Sequence, residues 1–217
     1  MSSGEIRQAI EVQAGALGPL LHAGMATSLA GALTRLKGFQ HIKYPHLIPF
    51  VMRAELREYL ESNPMANGWR VEGDPRKMGQ IRFAHPGLNM EMQFLKERRR
   101  TYPGGVPPAG RNGTRRQRWL NDPLDLDLPN AAHPNSADPI RLLLLWDFLD
   151  ASTLDQFKLR IVHPLEPGEY GKAVACDLIL DVEDGGEIFK SLEFTGSPDD
   201  DDLFGEIDID EEDESGT

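Results

Sequence analysis

The hydrophobic period changes partway along the chain, and no other feature restricts the fold as much. Up to residue 62 the apolar positions recur at helical spacing, whereas from Trp69 onward they alternate every second residue. A chain that switches once in this way builds helices first and sheet second. The expectation is an α+β fold with N-terminal helices followed by a mainly antiparallel sheet.

Residues 5–37 read as helix, broken near Gly18-Pro19 into a hairpin or a kink, because proline removes a donor and clashes with the preceding turn. A second helix is marked by Pro49 in its first turn and by Val51, Met52, Leu56, Tyr59 and Leu60 at helical spacing, with Asn63-Pro64 as the stop. Its other face carries Arg53, Arg57, Glu58 and Glu61. Strands are expected over 69–72, 80–84 and 88–95, joined by turns at Gly73-Asp74-Pro75 and His85-Pro86-Gly87 to form an antiparallel meander. In the third, Leu88, Met90, Met92 and Phe94 point one way and Asn89, Glu91 and Gln93 the other.

Residues 96–135 lose all periodicity and fill with Pro, Gly, Asn and Arg, the mark of a long loop. Strand signals resume in the continuous apolar run 140–149, suited to burial on both faces. They continue with Phe157, Leu159 and Ile161, then Val174 to Val182, and after Gly185-Gly186 with residues 188–194. The organisation expected is one body over residues 1–197: helical 5–62, a first strand group 68–95, a basic loop 96–135 and a second strand group 140–194. A disordered acidic tail follows over 198–217.

Charge is sharply segregated. The 217 residues carry a net charge of −12, and residues 199–217 hold eleven carboxylates with no base, leaving 24 acidic against 23 basic side chains elsewhere. Lys96 to Arg118 carries eight bases against the single acid Glu97. Within it Arg98, Arg99, Arg100, Arg111, Arg115, Arg116 and Arg118 offer guanidinium forks for phosphates, and Tyr102 and Trp119 offer rings for stacking. Nucleic acid is therefore the ligand expected for this loop. The plainer alternative is a solvated loop whose arginines pair with Asp122, Asp125, Asp127 or the tail.

Carboxylates so dense repel one another and cannot enclose a core. Leu203, Phe204, Ile207 and Ile209 are interleaved with them, so the tail could engage a basic, apolar-grooved partner, or screen the chain's own arginines. The mechanism expected is competition between tail and phosphates for Arg98, Arg99, Arg100, Arg115, Arg116 and Arg118.

The N-terminus lacks a basic segment followed by a compact apolar core, so no secretory signal is read there. Residues 12–34 are uncharged and long enough to cross a bilayer, but Pro19, His22, Thr27 and Ser28 interrupt them and aromatic anchors are missing, favouring a buried helix over a membrane span. The lone cysteine, Cys176, excludes an internal disulfide and fits a reducing, cytoplasmic setting; it reads as a buried thiol on the apolar face of its strand. His41, His46, His85, His133 and His163 read as loop residues without a compact zinc spacing. Asp74, Glu91 and Gln93, with Glu55 beside them, form a faint version of a metal-dependent nuclease set. Their plainer reading is a solvated sheet face. No catalytic residue, cofactor or metal ligand is assigned.

Tyr102-Pro103, Pro107-Pro108 and His133-Pro134-Asn135, after a helix and three meander strands, form an order that resembles the ubiquitin-conjugating enzyme family over about residues 51–146. That family carries a cysteine shortly after the asparagine, where this chain has Leu142 to Leu145, and helices where this chain has strands. The resemblance thus implies at most a catalytically inactive interaction module, and it is not adopted. The reading that emerges is a non-enzymatic, cytoplasmic interaction or regulatory protein that contacts nucleic acid through the arginine loop. Its alternatives are a metal-dependent nuclease and an adaptor or inhibitor that captures a basic protein through the tail.

Overall fold

The computed structural model describes residues 3–99, 101–124, 138–150 and 153–190. Two helices come first, α1 (Ser3–Arg35) and α2 (Leu47–Ser62). Then come β1 (Arg70–Glu72), β2 (Arg82–His85) and β3 (Met90–Lys96), a five-residue helix α3 (Gly113–Gln117), β4 (Ile140–Phe148), β5 (Phe157–Pro164), β6 (Cys176–Val182) and β7 (Ile188–Lys190). The seven strands form one sheet in simple chain order. Every neighbouring pair is antiparallel except β3 and β4, which run parallel in the register Met92↔Leu142, Phe94↔Leu144 and Lys96↔Trp146. A parallel pair needs a long crossover, and residues 97–139 supply it. The two expected strand groups are thereby fused into one sheet.

Strand alternation then sorts side chains between the two faces. One face presents Phe83, Met92, Phe94, Leu144, Trp146, Ile161 and Leu180 to Ile10, Leu17, Leu21, Met25 and Leu29 of α1 and to Met52, Leu56 and Leu60 of α2. Each such large apolar side chain contributes about 1.5–3 kcal/mol on burial. The other face presents Leu143, Leu145 and Val162 to Val106, Ala109 and Trp119 of the crossover and to Val174. β4 is therefore buried on both sides, with Leu143, Leu144 and Leu145 fully enclosed, as its unbroken apolar run requires.

Local chemistry explains the helix ends and corrects one boundary. Asn63 stops α2 in an extended conformation and donates from Nδ2 to the Tyr59 carbonyl at 2.7 Å. No hairpin forms at Gly18-Pro19, and α1 continues as one helix through Pro19. The β6–β7 turn packs against it there: a Cβ at Gly18 would overlap the Gly186 carbonyl, and one at Gly186, which sits at φ +88°, would overlap the Pro19 backbone. Close backbone packing thus meets the helix where the proline removes a donor. α1 is long and apolar enough to cross a membrane by length and composition; in this fold Ile10, Leu17, Leu21, Met25 and Leu29 are buried in the core with α2 and the sheet, while Val12 is exposed.

Several smaller expectations are corrected. Residues 96–135 are not wholly irregular, since Lys96 belongs to β3 and residues 113–117 form α3. Cys176 opens β6 rather than lying mid-strand, next to the register shift at His163 and Pro164, and it packs toward Val174 and the crossover while Leu178 faces the helices. Its thiol donates to the Val174 carbonyl, and burial pushes it up to about 12. His163 is no loop residue: it is enclosed in β5 and bonded through Nδ1 to Asp177 Oδ1 at 2.6 Å. The tail, His133, and the 191–194 part of the last expected strand lie outside the described residues.

Candidate nucleic-acid interface

The crossover leaves β3 over a buried carboxylate. Glu97, whose side chain is fully enclosed, accepts from Arg99 Nε at 2.8 Å and Lys158 Nζ at 2.6 Å, and pairs with Arg160. Burial alone would raise its carboxyl; the Arg160 charge and the bonds from Lys158 and Arg99 outweigh burial and hold it below the ordinary carboxylate range. Arg160 also donates to the Gly104 carbonyl, while Arg98 N bonds Gly105 O at 2.9 Å. The turn is thus clamped to the sheet. Gly105 sits at φ +78°, and a Cβ there would meet Arg99 Cγ at 2.7 Å.

Trp119 anchors the far side. It is wholly buried, donates from Nε1 to the Pro107 carbonyl at 3.0 Å, and carries the Arg115 guanidinium 5.3 Å above its ring. Asn112 caps α3 by accepting from Arg115 N at 3.1 Å. Asn121 fixes the return to β4: its Nδ2 donates to the carbonyls of Arg141 and Pro164 and its Oδ1 accepts from Arg141 N. The second anchor there is Asp177, which accepts from Leu124 N at 2.6 Å while holding His163.

These anchors place the arginines in two groups. Arg115 and Arg118 line a cleft of about 670 Å³ with Arg53 of α2, Lys77 of the β1–β2 turn and Arg82 of β2. Arg98 and Arg99 line a neighbouring cleft of about 1020 Å³ with Lys96, and Arg53 borders both. Arg111 and Arg116 are exposed and line neither cleft, and Arg100 lies outside the described residues. Among the described residues no acidic side chain pairs with Arg98, Arg111, Arg115, Arg116 or Arg118. Burial lowers the pKa of Arg53, Arg115 and Arg118, and the nearby cations Arg98 and Arg82 lower the latter two further. Arginine stays charged regardless, and at Arg115 and Arg118 the smaller contribution, from the neighbouring cations, is a repulsion that an anion would relieve.

The two aromatics expected to stack on bases do not present their faces. Trp119 is enclosed, and Tyr102 is buried edge-to-face with Tyr170 at 5.9 Å. Both rings hold the loop in place. Conversely Arg53, Lys77 and Arg82 complete the cationic cleft although no run of charge marks them. Their sequence signal is one cation on a helix face, one in a turn and one on the polar face of a strand, which only the fold brings together.

The carboxylates of the nuclease alternative are dispersed. Asp74 is bound by Arg76 at 3.0 Å, and those hydrogen bonds lower its pKa. Glu91 pairs in register with Arg141 and neighbours Arg82 and Arg118, and Glu55 is ion-paired with Arg35 at 2.9 Å. Among the described residues no group of three or more His, Cys, Asp or Glu is arranged to hold a metal ion. Comparison of the chain with protein-family models, with curated proteins and with solved structures gave no match. What defines the site is therefore its own residues: a cationic surface built on a sheet face by a clamped loop.

Proposed function

We propose that the protein is a non-enzymatic binding module that grips the phosphate backbone of nucleic acid in the cleft between α2, β2 and α3. One observation carries the reading: Arg53, Lys77, Arg82, Arg115 and Arg118 converge on a cleft whose one acidic lining residue, Asp74, is already neutralised by Arg76. Glu91 neighbours Arg82 and Arg118, but no carboxylate among the described residues is ion-paired with the five cations, and cations without an ion pair gain most from a polyanion, which replaces condensed small ions with protein cations. With Tyr102 and Trp119 buried, the contacts are to phosphates rather than bases, so binding is tolerant of sequence. The tail, opposite in charge, competes with phosphate for the cations that border this cleft.

Fluorescence anisotropy of the full-length chain against single- and double-stranded DNA and RNA, over a range of salt, tests this. Affinity falls steeply with salt. The exposed cations Lys77 and Arg115, changed to Gln one at a time, each reduce the slope of log K against log salt by about one, equally for all sequences. Affinity and slope unchanged in both variants would rule the cleft out as the contact surface.

A further inference from the structure

The second cleft has a different character. Its floor and walls are Trp146, Phe148, Phe50, Met78 and Leu149, and its rim carries Arg53, Lys96, Arg98 and Arg99. Of its acids, Asp147 pairs with Lys96 at 3.5 Å, and Glu97 is enclosed with Arg99, Lys158 and Arg160. Phe50, Met78 and Leu149 are 42%, 65% and 61% exposed, and Phe39, Ile42 and Tyr44 of the α1–α2 connection add further exposed apolar surface. Apolar surface concentrated in this way and ringed by one sign of charge marks an interaction site.

Two features show that an acceptor-bearing partner fits. Trp146 is 1% exposed and lines the cleft, yet its Nε1 has no hydrogen-bond partner, and His41 Nδ1, buried in the same wall, has none either. Buried indole N–H groups normally find an acceptor. The first turn of α2, a sixteen-residue helix, opens here too: no side chain caps it, and with Leu47 N bonded to the Tyr44 carbonyl and Pro49 lacking an N–H, the N–H of Ile48 remains.

We infer that this cleft is the docking site of the chain's own segment 199–217, with Leu203, Phe204, Ile207 and Ile209 on the apolar floor and the interleaved carboxylates on Arg53, Lys96, Arg98 and the first turn of α2. The segment matches the surface in both respects, since it alternates large apolar residues with acids and contains no base. Reach is ample. The described chain stops at Lys190 on β7, three strand spacings or about 15 Å from β4, and the thirteen residues from there to Leu203 span up to about 43 Å. Tethering raises the local concentration of the segment to the millimolar range, so modest complementarity suffices. Because Arg53 borders both clefts, a docked tail withdraws one cation from the phosphate site without covering it.

Paramagnetic broadening in the full-length chain tests the inference without nucleic acid, so its failure leaves the phosphate-binding proposal to the anisotropy experiment. A nitroxide is attached at Gly205→Cys in a Cys176→Ser background, since the native thiol is only half-buried. The three indole N–H signals report from separate places: Trp146 from this cleft, Trp119 from beneath Arg115, and Trp69 from beside α1, where it bonds Gln13. The expected result is that Trp146 and the Met78 methyl lose most of their intensity while Trp69 keeps its own. Phe204→Ser with Ile207→Ser restores both signals, and so does Arg98→Glu, an exposed position. Broadening at Trp119 with Trp146 spared, no broadening, or broadening that disappears on dilution as contact between two copies would, each overturns the inference.

Discussion

At the scale of single residues, Glu97 decides whether the basic loop exists as a surface. Three cations converge on its carboxylate, which has no access to water. Removing one member of such a set leaves the others buried and uncompensated. Glu97→Gln is expected to destabilise the protein by about 3–5 kcal/mol in urea denaturation at pH 7. The pH dependence has a definite sign: with the folded carboxyl held below its unfolded value, Glu97 contributes stability above about pH 4.3, and the contribution fades as pH falls through the folded value. The gap between parent and variant therefore narrows on acidification. An unchanged gap between pH 7 and pH 3 would mean that another group holds the cluster together. Glu97 was legible in the sequence only as the one acid in a basic tract. Charge counting cannot separate a buried counter-ion from a solvated exception, and the same blindness hid Arg53, Lys77 and Arg82.

At the scale of elements, helices and strands were legible because each buries a periodic face, and period survives in one dimension. The apolar run of β4 announced burial on both sides, and Asn63 announced the end of α2. Three features were not legible because they depend on contacts distant in sequence: the continuation of α1 through Pro19, the parallel β3–β4 pair, and the burial of Tyr102 and Trp119. An exposed aromatic in an arginine-rich loop and a buried one read alike until the surface beneath is known. That surface is the row Leu143, Leu145 and Val162, which the loop must cover. Trp119→Ala removes the largest side chain of this layer and is expected to cost about 3–5 kcal/mol. It also frees Arg115 from its ring. Hydrogen exchange distinguishes the consequence: the amides of 105–119 lose protection before those of α1 and β4. Uniform loss of protection would show that the loop is no independent layer.

At the scale of the whole molecule, the sheet is two antiparallel ribbons, β1–β3 and β4–β7, joined along one parallel seam. Each ribbon closes through connections of four to eleven residues, whereas the seam closes only across residues 97–139. Pairings of that separation form late, because loop closure has to precede any gain from the contacts. Substitutions at the seam, such as Phe94→Leu, are therefore expected to speed unfolding more than they slow refolding in stopped-flow denaturant jumps. The reverse, with refolding slowed in proportion to the lost stability, would place the seam in the nucleus. The order of events has a practical meaning for the ligand surface. Arg53, Lys77 and Arg82 precede the seam in the chain, and Arg115 and Arg118 lie within the crossover that spans it. Until the seam shuts, the five cations stand on parts of the chain that do not yet face one another. A nascent or partly opened molecule would thus meet polyanions with scattered charges in place of a cleft, so affinity itself becomes a gauge of completed folding.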